Sequence, residues 1–163
     1  MHFSTRAEYG VRLLIELGRH TDHGEPTPLH AVAAVEGLPL SYLEQLAARL
    51  RKAGIVTSTR GAHGGYRLAR PASEITMDEA VNALEGPIAP MQCLSDDGSH
   101  KVLCSHERDG GHNCATRVLW ASVQDGMVEA LRRTSLADLV DFSRCHETDA
   151  ATGTTPLPVA ASI

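Results

Sequence analysis

The sequence predicts a mainly α fold with a small β-hairpin wing: a winged helix-turn-helix followed by a long dimerisation helix. Three observations carry that expectation. Two short amphipathic stretches, 29–35 and 41–53, flank the tight connection Gly37-Leu38-Pro39-Leu40. Directly after them the spacing changes to a β-branched run over 55–60 and an alternating return over 66–69, joined by a glycine-rich turn. A much longer apolar stripe then occupies 114–131.

Each element has its own signal. Thr5-Arg6-Ala7-Glu8 fits a capping box opening a first helix over 5–18, with Ala7, Val11, Leu14, Ile15 and Gly18 on its apolar face. Thr27-Pro28 predicts the cap and first turn of a short second helix, which Gly37 ends in a left-handed conformation. Ser41-Tyr42-Leu43-Glu44 reads as another capping box. Leu43, Leu46, Ala47, Leu50 and Ala53 then turn inward, which leaves Tyr42, Gln45, Arg49 and Lys52 on the outward face. The hairpin follows, and Pro71 closes the unit.

Ile75, Met77, Val81 and Leu84 predict a helix over 74–85, stopped by Gly86-Pro87. From 88 to 113 no periodicity holds, and so long a loop in a compact domain calls for a bound group. Ala115, Val118, Leu119, Val123, Met127, Val128 and Leu131 form a stripe more apolar than an end helix hides alone, which predicts pairing with a second copy. Trp120 on that helix reads as dimer-core packing. Ser135-Leu136-Ala137-Asp138 is a further capping box. The expected organisation is a winged helix-turn-helix over 1–72, a connecting helix and cysteine-bearing loop over 73–113, a dimerisation helix and short C-terminal helix over 114–145, and a disordered tail over 146–163.

Size and composition narrow the function. At 163 residues and 17.4 kDa the chain is too short for a barrel enzyme. It has no nucleophile elbow, phosphate loop or His-Glu-x-x-His pattern, so no enzymatic role is expected. No stretch approaches the roughly 20 apolar residues of a membrane span. The opening Met1-His2-Phe3-Ser4-Thr5-Arg6 lacks an export signal, which predicts a cytoplasmic location.

The net charge of −5 conceals an asymmetry. Residues 1–70 carry nine Lys/Arg against six Asp/Glu, whereas 71–163 carry six against fourteen. Between Arg49 and Arg70 there are six basic residues and no acidic one. A polyanion responds to that local patch. Tyr42, Gln45, Arg49 and Lys52 are therefore candidate contacts in a major groove, which is about 12 Å wide. Ser41, at the helix start, is both a cap and a candidate phosphate contact. Arg60 and His63 at the wing tip are candidates for a minor groove.

Cys93, Cys104 and Cys114 fall within 22 positions of a polar segment, and Cys145 lies beyond any ligand spacing. In a reducing compartment disulfides explain the first three poorly. Soft thiolates suit an iron–sulfur cluster, or zinc if His106 or His112 joins them.

Several stretches together resemble a known family. They are Thr5-Arg6-Ala7-Glu8-Tyr9-Gly10-Val11-Arg12, Leu40-Ser41-Tyr42-Leu43-Glu44-Gln45-Leu46, Leu50-Arg51-Lys52-Ala53-Gly54-Ile55-Val56, and Arg60-Gly61-Ala62-His63-Gly64-Gly65-Tyr66-Arg67-Leu68, with Thr134-Ser135-Leu136-Ala137-Asp138-Leu139-Val140 further on. Over about 1–142 the chain resembles the Rrf-two family of iron–sulfur winged-helix transcriptional regulators, which includes regulators of cluster assembly, nitric oxide response and redox response. The resemblance implies a homodimer on near-palindromic, double-stranded promoter DNA. It implies an iron–sulfur cluster held by Cys93, Cys104 and Cys114 with a variable fourth ligand.

Two departures from the family pattern matter. The intervals between the cysteines are ten and nine residues where five is usual, and Arg117 stands where assembly regulators have a ligand histidine. Arginine has no lone pair to offer a metal at neutral pH. Members that take a carboxylate from the first helix of the partner chain point instead to Glu8, with a cluster shared between chains. The position one turn on, where a redox-sensing type has histidine, is Arg12. Glu8 is also explained without metal, as a capping residue and as the i,i+4 partner of Arg12. His106 and His112 stay open as alternative ligands. Likeness to the redox-sensing type favours [2Fe-2S] over [4Fe-4S]. A winged-helix regulator with structural zinc, or without metal and answering to a small effector, is the alternative reading.

Overall fold

Leucine spacing decides the centre of the molecule. In the computed structural model, which describes residues 3–20, 25–61, 64–94 and 114–152 (backbone alone at 92 and 146–152), helix α1 spans Thr5–His20 and buries Leu13, Leu14 and Leu17. Around it pack α2 (Leu29–Glu36), α3 (Leu40–Lys52), the strands β1 (Val56–Thr59) and β2 (Gly65–Leu68), and α4 (Met77–Glu85). Helices α5 (Ala115–Arg133) and α6 (Leu136–Thr152) complete the described chain. Leu43, Leu46, Ala47 and Leu50 of α3 are buried, as their spacing predicts. Burying a side chain of this size contributes about 1.5–3 kcal/mol, so this leucine cluster dominates the unit's stability.

The two strands pair antiparallel with Val56 opposite Leu68 on the buried face and Thr57 opposite Arg67. The wing is also tied to the start of the second helix. Thr27 donates its amide to the Tyr66 carbonyl at 2.8 Å and accepts the Tyr66 amide at 2.9 Å. Gly65 makes this possible, because a Cβ there would lie 2.5 Å from the Thr27 carbonyl carbon.

Helix α5 buries no residue against its own chain, and α6 turns back onto α1. The return is fixed by a bridge between Thr76 and Ser135, in which the Met77 amide meets the Thr134 carbonyl at 2.9 Å. Leu136 and Val140 thereby join the same core as α1–α4. Arg144 donates to the Arg19 carbonyl at 3.0 Å, satisfying the C-terminal turn of α1.

Several helix ends differ from expectation. The Thr5–Glu8 capping box does not form. Ser4 is the residue that accepts the Arg6 amide on its hydroxyl and the Ala7 amide on its carbonyl, while Glu8 turns to Arg12. Thr27 is engaged by the wing, and α2 starts after Pro28 with no side-chain cap. Helix α3 starts one residue early, directly after Pro39, so Ser41 lies inside the helix and caps nothing. The helix expected over 74–85 begins at Met77, with a capping box from Thr76 and Glu79 and a single 3-10 turn before it. The Ser135–Asp138 box does form, with the Ser135 amide 2.8 Å from Asp138. Residues 146–152, expected as part of a disordered tail, continue α6 to Thr152. The rest of that tail, 153–163, lies outside the described residues, as do Cys104, His106, His112 and His63.

Candidate functional site

The outward face of α3 comes directly from the burial of the opposite one. Ser41, Gln45, Arg49 and Lys52 are exposed at three- and four-residue intervals, so they line one stripe. Gly37, with φ of 65°, ends α2 and lets Leu38-Pro39 swing the chain into α3. Arg49, Arg51 and Lys52 occupy the last turn, where cations also suit the helix dipole.

Tyr42 has a double position. Its ring is half-buried, edge-on to Tyr9 with centroids 6.0 Å apart and planes at 89°, and its hydroxyl lies 3.4 Å from the Thr5 hydroxyl. It braces α3 against α1 while keeping the phenol near the surface.

The six basic residues of 49–70 divide into two groups. Arg70 is engaged by Glu79 at 2.6 Å and by the Glu74 carbonyl, which withdraws it from the surface patch. Arg51 reaches Ser58 at 3.2 Å and joins the end of α3 to the wing. Arg49, Lys52, Arg60 and Arg67 stay exposed on the helix and hairpin. The patch therefore spans the outward stripe of α3 and the wing, with the intervening loop clear of carboxylates.

The second feature lies at the start of α5. Cys93 sits exposed on a 3-10 turn, Gln92–Leu94, that packs against α5. Gln124 of that helix holds the preceding segment through the Ile88 carbonyl at 2.8 Å. Cys114 occupies the N-cap of α5. Its sulfur lies 3.1 Å from the Thr116 hydroxyl, and that hydrogen bond, with the Arg117 amide next, lowers the thiol below its ordinary value. Exposed sulfur at Cys93 and a thiol eased toward thiolate at Cys114 are soft donors that fit a cluster. Among the described residues no group of three or more His, Cys, Asp and Glu converges on one point.

Glu8, the expected fourth ligand, is exposed on α1 and paired with Arg12. The i,i+4 pair was legible in the sequence. The approach of Arg12 to Glu36 at 3.8 Å was not, because it joins two helices.

A three-helix unit with a two-stranded wing and a basic reading helix defines the winged-helix class of DNA-binding proteins. The family model Rrf2, described as an iron-dependent transcriptional regulator, matches residues 3–142, and the chain belongs to that family. The chain is similar to the HTH-type transcriptional regulator CymR of Bacillus subtilis, 38% identical over 144 residues that cover 88% of this chain and 92% of CymR. It is similar to the HTH-type transcriptional regulator IscR of Photorhabdus laumondii, 35% identical over 141 residues, 86% of this chain and 80% of IscR. Among solved structures it resembles that of B. subtilis CymR, the global cysteine regulator of that organism. There the TM-score is 0.69 at 36% identity, covering 87% of this chain and 98% of the other. The relatives are transcriptional regulators rather than enzymes. No helix among the described residues is long and apolar enough to cross a membrane.

Proposed function

We propose that the chain is a homodimeric transcription regulator whose hold on promoter DNA is set by an iron–sulfur cluster on Cys93, Cys104 and Cys114, with Glu8 as fourth ligand. Tyr42, Gln45, Arg49 and Lys52 meet the major groove, Ser41 near the start of the same helix meets a phosphate, and Arg60 and His63 enter the adjacent minor groove. The two reading helices of a dimer meet half-sites of a near-palindrome about 34–36 Å apart, so their separation governs affinity.

The observation that carries this reading is where two of the three proposed ligand thiols, Cys93 and Cys114, are mounted. Cys114 stands at the N-cap position of α5 and the Cys93 turn packs on that helix. On the same helix Val118 is 70% exposed and Leu119 57%, with Val123 and Trp120 also open. Contiguous apolar exposure of this kind suits a second copy of the chain. A change at the sulfurs therefore acts at the base of the dimer helix. The cluster supplies a centre whose oxidation or loss alters charge and ligand demand. The protein's own residues orient the thiols, present a displaceable carboxylate and place the cationic stripe on DNA. Likeness to the redox-sensing members favours [2Fe-2S] over [4Fe-4S].

Anaerobic purification with iron and acid-labile sulfide analysis tests the assignment. A brown protein with visible absorption and iron matched by sulfide supports it, whereas colourless protein with one zinc per chain contradicts it. Replacing Cys104 by Ala abolishes the stable cluster in a folded chain. The similarity to CymR favours a second reading, in which the same fold carries zinc or no metal and answers to a small effector.

A further inference from the structure

We propose that Arg12 is a positioning residue for Glu8: it holds that carboxylate on α1 in the metal-free protein and connects it to the reading helix. The inference rests on the assignment of Glu8 as a cluster ligand. Arg12 Nη2 and Nε lie 2.8 and 2.9 Å from one Glu8 oxygen, Oε1. Its Nη1 lies 3.8 Å from Glu36 Oε2, at the end of α2. The guanidinium carbon stands 5.8 Å from the centroid of Tyr9, the ring that Tyr42 of α3 meets edge-on. One guanidinium thus touches the candidate ligand, the first helix of the helix-turn-helix and, through two rings, the second.

Arginine keeps its charge and offers no lone pair, so its role toward a metal is competition rather than ligation. A carboxylate held by two N–H donors must exchange them before it binds iron. The side chains are 47% and 59% exposed, so the ion pair is weak enough for that exchange. Glu36 is then the carboxylate left to Arg12, and a move toward it shifts the cation over Tyr9. On that exchange Arg12 passes from the contact in which it reaches both carboxylates to one held by Glu36 alone, and the shift acts on α2 directly and on α3 through Tyr9 and Tyr42.

Cluster retention and DNA affinity read the proposal. In reconstituted protein Arg12→Ala removes the competitor, and cluster loss to EDTA, followed by visible absorbance, slows about 1.5- to 5-fold. Arg12→Lys, which keeps the charge on a single point donor, falls between the two. In a Glu8→Ala background the Arg12→Ala change has no effect on retention. The ratio of promoter affinities between loaded and metal-free protein moves toward one in Arg12→Ala. Circular dichroism of the metal-free variants checks folding, and Arg12→Lys carries the comparison if Arg12→Ala does not fold. A Glu8→Ala protein with unchanged absorption and electron paramagnetic resonance spectra removes the ligand assignment and the proposal with it. A Glu8→Ala protein with an altered spectrum, beside an Arg12→Ala protein that loses its cluster at the wild-type rate, overturns the role of Arg12 alone.

Discussion

Ser4 gives both its hydroxyl and its backbone amide to one oxygen of Glu85, a residue 81 positions further along. The Ala7 amide joins at 3.3 Å and Arg6 approaches the second oxygen. The last residue of α4 therefore caps the first turn of α1, the helix that carries Glu8, and Gly86-Pro87 leads from it toward the cysteine segment. Burial pushes the Glu85 carboxyl up, but the Ser4 hydroxyl, the two amides and Arg6 together outweigh it and leave it below its ordinary value of 4.5. A carboxylate with a lowered folded value stabilises the fold fully above its unfolded value and loses that contribution as pH falls through the lowered one. Glu85→Gln is expected to cost about 0.5–2 kcal/mol at neutral pH, the range of a lost N-cap. It is also expected to flatten the acid side of a thermal-melt series. An unchanged acid limb contradicts the capping role.

The wing and the second helix are predicted to act as one piece. Gly65→Ala places a Cβ against the Thr27 carbonyl, 2.5 Å away, and the Pro28 nitrogen, 2.8 Å away. Relieving that overlap is expected to cost about 1–3 kcal/mol. Denaturant unfolding measures the loss, and promoter affinity falls with it because the wing can no longer keep its pairing to Thr27.

Arg49 is predicted to read sequence. Arg49→Ala should lower binding to the target promoter by about 1–3 kcal/mol, the value of a bidentate base contact, while changing binding to random DNA much less. Competition titrations with both DNAs at one salt concentration separate the cases, and equal losses on both assign Arg49 to phosphate.

Helix α5 is predicted to be the dimer contact. Leu119→Lys, at a position 57% exposed in the single chain, should convert the protein from a dimer to a species near 17.4 kDa by light scattering. Placing a cation in a paired apolar stripe leaves it buried without a partner. A Leu119→Lys protein that stays dimeric removes α5 from the interface.

How far the sequence reveals this molecule depends on whether a signal is local. Leu43, Leu46, Ala47 and Leu50 turn inward as their spacing predicts, Gly37 takes the left-handed cap, and Val56 meets Leu68 in the hairpin. Those features depend on residues within a turn or a strand of one another. The capping boxes at Thr5 and Ser41 fail because competing partners come from elsewhere or because proline resets the start. Glu85 takes over at α1, and Pro39 begins α3 early. The Thr27 cap fails because α2 begins after Pro28, which stands at its N-cap position, while the Thr27 backbone pairs with the wing. Helix α6 runs past 145 because nothing in 146–152 breaks it before Gly153. The outward stripe of α3 was legible for the same reason as its core. The approach of Arg12 to Glu36 and the edge-on contact of Tyr9 with Tyr42 link separate helices, and no spacing within one helix announces them.

The most direct test measures promoter affinity of one anaerobic preparation before and after its cluster is removed, at fixed salt, with oxidant and nitric oxide as further arms. The account predicts that the loaded and metal-free forms differ in affinity for the promoter while their binding to random DNA stays the same. Equal promoter affinity in every state would contradict it and leave a DNA-binding regulator that takes no signal from its cysteines.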